Sequence, residues 1–183
     1  MSDKNCLLLC EGGSAEDIDD VSNALATYLE LPSKFVPMAY GDPVSVKILH
    51  ASGSEPSADA ITSVLTAAKC DVTVEAKASM LQTDADASAA AAVITSSDTQ
   101  LLVLIGGAAL LSNLESTVLG AEALAPHPNP NSTTDVIEST RFKPSSGVLL
   151  VEASEKKWAL QHIVVPQKEW WRLGSSQYEE SGQ

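Results

Sequence analysis

The sequence predicts an α/β fold, a three-layer α/β/α sandwich around a mainly parallel, flavodoxin-like sheet. Short apolar runs alternate along the chain with segments whose apolar residues recur at helical spacing. That is the order a parallel sheet covered by helices on both faces requires. Hydrophobic residues make up 44% of the 183 but aromatics only 4%, so the core is built from Ala, Val, Leu and Ile. Several apolar runs end in Gly- and Ser-rich loops, and in such sheets ligands gather at the carboxyl ends of the strands.

Asn5 to Cys10 is an apolar run entering a turn at Glu11-Gly12-Gly13, which predicts a buried strand. Ser14 and Asp17 have the spacing of a capping box. The helix they start runs to about Leu31, with Ile18, Val21, Leu25, Tyr28 and Leu29 at helical spacing and Pro32 as its stop. Phe35 to Tyr40 is a second short strand candidate, and Gly41-Asp42-Pro43 is a turn. Val44 to His50 predicts the next strand. After Ala51-Ser-Gly-Ser-Glu55, Pro56 stands where the first turn of a helix tolerates it, ahead of the stripe Ile61, Val64 and Leu65. Val72 and Val74 alternate in a strand from Asp71 to Glu75. Thr83 to about Ser97 is Ala-rich and helical. Leu101 to Ile105 is the most apolar strand; it ends in Gly106-Gly107, and a helix follows from about Leu110 to Leu119.

Pro126-His-Pro-Asn-Pro-Asn131 is a rigid, extended connector. Gly147 to Val151 is another apolar strand, and Ser154 to about Val164 suits either the return arm of a hairpin or a helix capped by Ser154. The tail from Gln167 is polar apart from Trp170-Trp171, which could anchor a partner subunit or cover the domain's own core. These elements suggest a β-α-β annex over residues 1–43, a main α/β domain over 44–166, and a polar tail over 167–183.

With 24 acidic and 11 basic side chains the formal charge is −13, which argues against non-specific binding to nucleic acid or to an anionic membrane. The longest apolar run, Leu101 to Leu111, is too short to span a bilayer, and the first residues do not have the pattern of a secretory signal. Cys6 and Cys10 lie four apart on one strand and so face one side; Cys70 follows a helix. No CxxC and no metal-ligand spacing occurs, so the expectation is buried free thiols in a reducing cytoplasm, with no metal and no cofactor.

Ser52, Gly53 and Ser54 sit between a strand and a helix, where backbone N–H groups and two hydroxyls make a phosphate site or merely a capped turn. Glu11 with Glu16, Asp17, Asp19 and Asp20 could hold a divalent cation, or form a solvated helix face near the positive helix end. Of the three histidines, His50, His127 and His162, His50 ends a strand beside Ser52. No G-x-S-x-G elbow is present, so no Ser/His/Asp set assembles.

From Val46 to about Val164 the chain resembles the aminoimidazole ribonucleotide carboxylase/carboxyaminoimidazole ribonucleotide mutase family of purine biosynthesis, in its animal-type (class II) branch. Four blocks carry the resemblance: Ile48-Leu-His-Ala-Ser52-Gly-Ser54-Glu55, Ser79-Met-Leu81-Gln82-Thr83, Ile105-Gly106-Gly-Ala-Ala-Leu110, and the pair Pro126–Pro130 and Ser139-Thr-Arg141-Phe-Lys-Pro144-Ser-Ser-Gly147. They come in the family's order and approximate spacing. At the place of the family's proton-handling histidine stands Leu81, at the neighbouring phosphate contact Gln82, and at its third-loop Arg-Ser-Asn stands Gly107-Ala108-Ala109. A leucine moves no proton.

The resemblance therefore implies a divergent, non-catalytic relative serving as subunit, scaffold or ligand-binding protein. One alternative is an active carboxylase or mutase using His50 on a phosphoribosyl-imidazole; another is a small-anion or nucleotide sensor at Ser52 to Glu55. The expected ligand or phosphate contacts are Ser52, Gly53, Ser54, Glu55, Ser79, Thr83, Gly106 and Gly107, with His50 as the only catalytic candidate. The expected partners are further copies of the chain in a homo-oligomer and a phosphoribosyl or nucleotide ligand.

Overall fold

Six strands form one sheet in the computed structural model of the chain, which describes residues 4–30, 43–76, 78–83, 87–120, 142–154, 157–164 and 166. They are β1 (Asn5–Cys10), β2 (Ser45–His50), β3 (Asp71–Ala76), β4 (Leu101–Gly106), β5 (Gly147–Ser154) and β6 (Lys157–Val164). The helices are α1 (Ala15–Glu30), α2 (Glu55–Ala67), α3 (Ala87–Ser96) and α4 (Ala108–Leu119), and a single 3₁₀ turn, Ser79–Leu81, precedes α3.

The strand order is β3-β2-β4-β1-β5-β6. β1 to β4 pair in parallel, while β5 is antiparallel to both β1 and β6. The fold is thus the expected three-layer α/β/α arrangement with a mostly parallel sheet, and its strand order is not the 2-1-3-4-5 of flavodoxin.

Every residue of β1 and β4 is buried. A central strand covered on both faces must be apolar at every position, which is why both appear as unbroken runs rather than alternations. Alternate residues serve opposite cores. Cys6, Leu8, Cys10, Leu102 and Leu104 pack with Ala90 and Ile94 of α3 and Leu110, Leu111 and Leu114 of α4. Leu7, Leu9, Leu101, Val103 and Ile105 pack with Val21 of α1 and Ala58, Ile61 and Leu65 of α2. Each large aliphatic side chain so buried contributes roughly 1.5–3 kcal/mol.

β1 pairs with β4 from Asn5↔Leu101 to Cys10↔Gly106, and with β5 from Asn5↔Val151 to Leu9↔Gly147. At that last pair a Cβ on Gly147 would run into the Leu8 carbonyl oxygen, so the close approach admits only glycine. The expectation of an N-terminal annex over residues 1–43 is corrected here: Asn5–Cys10 lies at the centre of the main sheet. A domain starting at Val44 would leave β4 and β5 facing each other across an empty strand position.

The Ser154–Val164 stretch is the return arm of a hairpin, β6, with Trp158 buried against the α3–α4 face. The strand candidate Phe35–Tyr40, the proline connector with His127, Arg141 and the tail with Trp170-Trp171 lie outside the described residues.

Candidate functional site

The parallel strands end together, and their loops are tied by backbone hydrogen bonds. The Glu11 N–H donates to the Gly106 carbonyl at 2.9 Å, that of Ala51 to Ile105 at 2.9 Å, and that of Ala78 to His50 at 3.0 Å. Between these loops lies a cleft of about 240 Å³. Its apolar wall is Ala51, Leu81 and Leu110. Its polar lining is Glu11, Ser52, Gln82 and Thr83, with Gly107 beside them. Among the described residues of that lining, Glu11 alone is ionisable.

The sequence around Glu11 holds it in place. Gly12 and Gly13 have φ of +90° and +99°, and a Cβ on Gly13 would strike the Ser145 hydroxyl. That hydroxyl donates to the Gly12 carbonyl at 2.6 Å, clamping the β1 loop to the turn before β5. Ser145 itself adopts φ +59°, a left-handed conformation maintained by the surrounding contacts. The next residues start α1 through the expected capping box: the Ser14 N–H donates to the Asp17 carboxylate at 3.4 Å, and the Asp17 N–H to the Ser14 hydroxyl at 3.2 Å.

Across the cleft, Ser54 is the N-cap residue of α2, yet its hydroxyl makes no cap bond. It donates instead to Oε2 of Glu11 at 2.5 Å, and Ser54 is 1% exposed. Gly107 is the N-cap of α4. A Cβ placed there would stand 3.9 Å from Oε1 of Glu11. The carboxylate therefore sits between the N-terminal ends of two helices.

Of the residues expected to contact a ligand, Ser52, Thr83 and Gly107 line the cleft and Ser54 bonds to one of its walls. Gly106 is buried at the end of β4. Gly53 and Ser79 are exposed, and Glu55 is the half-buried first residue of α2. His50 is 3% exposed and does not line the cleft; its Nδ1 lies 2.9 Å from the Ala51 carbonyl. Leu81 packs into the α3–α4 core as well as lining the cleft, and the Gln82 side chain donates to the Ala78 carbonyl at 3.0 Å. Among the described residues no group of three or more His, Cys, Asp or Glu side chains could hold a metal ion. Glu11 faces the cleft, while Asp17, its expected companion in an acidic cluster, is engaged in capping α1.

Solved structures with this fold include a protein named phosphohistidine phosphatase SixA from Agrobacterium tumefaciens. Its TM-score is 0.56 at 11% identity, over 88% of this chain and 98% of the other. A phosphoglycerate mutase from Plasmodium falciparum also has TM-score 0.56, at 14% identity over 87% of this chain and 89% of the other. No protein-family model and no curated protein matches the sequence.

These neighbours overturn the resemblance to the aminoimidazole ribonucleotide carboxylase/mutase family. The divergent non-catalytic relative of that family and its purine-biosynthetic role fall with it, as do the active carboxylase or mutase and the anion or nucleotide sensor. The first three matched blocks lie between a strand and the helix that follows it, and any βα unit needs small and capping residues there, while most of the fourth lies outside the described residues. They also omit β1, the strand around which this sheet is built.

Proposed function

We propose that this chain is a phosphatase-fold protein that binds through its strand-end cleft and does not transfer phosphoryl groups. The observation that carries the reading is the polar lining of that cleft, whose only ionisable member among the described residues is the Glu11 carboxylate. Moving a phosphoryl group needs a nucleophile or an activated water, and preorganised cations or N–H donors on the oxygens that gain charge. The described lining has hydroxyls, an amide and a carboxylate. At 4 Å a carboxylate repels each unit of phosphate charge by about 4 kcal/mol at an effective dielectric constant of about 20. The cleft suits a neutral or cationic group that donates hydrogen bonds.

No helix among the described residues is long and apolar enough to cross a membrane. The free thiols Cys6, Cys10 and Cys70 fit a reducing compartment, and the cytoplasm is the location we assign.

The names of the two fold neighbours favour a second reading, phosphoryl transfer. One assay separates the two. The purified chain is given p-nitrophenyl phosphate, a phosphohistidine peptide and a phosphoglycerate, and phosphate release and isomerisation are followed. Background rates are expected on all three. Turnover that rises in proportion to protein and survives repurification would establish the second reading.

A further inference from the structure

We infer that Glu11 is a tethered anion: its carboxylate fills, from within the chain, an oxyanion-sized place at the N-terminal ends of α2 and α4. The inference rests on the reading that the cleft does not handle phosphoryl groups, and gives that reading a structural cause.

Two features converge on the carboxylate. The first four N–H groups of a helix lack intrahelical acceptors, and the helix dipole adds partial positive charge at that end. Glu11 stands against two such ends, bonded to Ser54 at the start of α2 and beside Gly107 at the start of α4. The second feature is the use made of Ser54. An N-cap serine ordinarily turns its hydroxyl onto its own helix. Here that hydroxyl is buried and donates into the cleft, so without Glu11 it would be a buried donor with no acceptor. Leaving it so is costly, and a free oxyanion would relieve that cost.

The Gly12-Gly13 turn and the Ser145 clamp fix the residue that carries the carboxylate. The anion is therefore part of the folded chain, held at an effective concentration that the fold sets and lost only with the fold. A dissolved phosphate must displace a group that cannot leave, and is repelled by it. Removing the side chain should open the place, and removing the charge alone should lift the repulsion.

Inorganic phosphate is titrated by calorimetry into the wild-type chain and the Glu11→Gln and Glu11→Ala variants, each first shown to melt cooperatively. Glu11→Gln keeps the shape and removes the charge, and so guards against a fold defect in the smaller variant. Phosphate affinity should rise at least about tenfold in Glu11→Ala and by less in Glu11→Gln, whose amide still occupies the place, and the gain should vanish in Glu11→Ala/Ser54→Ala. Folded variants that bind no better than wild type would overturn the inference. So would a gain that survives loss of Ser54, which would place the anion elsewhere. Flat affinities with background turnover sink the tethered anion alone, whereas phosphoryl turnover by the wild-type chain sinks the functional reading whatever the variants bind.

Discussion

The three cysteines differ in what surrounds their sulfurs. Cys6 is fully enclosed, and burial pushes its thiol far above the ordinary range. Cys10 is pushed up to about 11, first by burial and then by the neighbouring Glu11 carboxylate. Cys70 is only partly buried, and burial raises it too. Since the thiolate is the reactive species, Cys70 should react first with a disulfide reagent at pH 8, while Cys6 and Cys10 should wait for unfolding. Mass spectrometry after timed quenching reads the order, and prompt native-state labelling of Cys6 would contradict it. The sign for stability follows from the same shift. Between its ordinary value of 9.0 and about 11, Cys10 holds its proton in the folded chain and loses it in the unfolded one. Its contribution is thus complete below pH 9 and is lost as pH rises toward 11.

At the scale of elements, α2 shows how the layers hold together. Its Ala58, Ile61 and Leu65 are buried against the face of the sheet formed by Val46, Ile48, Val103 and Ile105. Its residues Thr62 and Ser63 donate back to the Ala58 and Asp59 carbonyls, at 2.7 and 2.9 Å. Ile61→Ala should cost about 3 kcal/mol, because it removes buried methyl groups and leaves a cavity that the rigid sheet cannot close. Urea denaturation should show a lower midpoint with an unchanged slope. A loss below about 0.5 kcal/mol, the size of a surface effect, would mean that α2 does not pack as described.

At the scale of the whole molecule, β1 decides whether there is a sheet at all. It pairs with β4 on one side and β5 on the other, and its two faces contribute to both cores. A chain beginning at Val44 loses both ladders together with Leu7, Leu8 and Leu9, three side chains with at most 3% exposure. That exceeds the marginal stability of a domain this size. Such a chain should show no cooperative thermal transition by circular dichroism. A cooperative melt would restore the separate N-terminal annex.

The sequence by itself determined the features that depend on near neighbours. The unbroken apolar runs of β1 and β4, the alternation in β3, the Ser14–Asp17 cap and the helical stripe of α2 are all set within a few residues. Together they are enough for the three-layer class. The eight residues of β6 fit either a helical or a strand period, and only pairing with β5 chose between them. Strand order was likewise beyond local pattern. Buried parallel strands are all made of the same few aliphatic residues, so nothing in Asn5–Cys10 says that its neighbours are Leu101–Gly106 and Gly147–Val151. Glu11 is the sharpest case. In the sequence it belongs with the acidic start of α1, but its partner Ser54 lies 43 residues away. The two meet only because β2 and β1 flank β4 and end at the same level, so the character of the cleft was decided by the sheet and not by any motif.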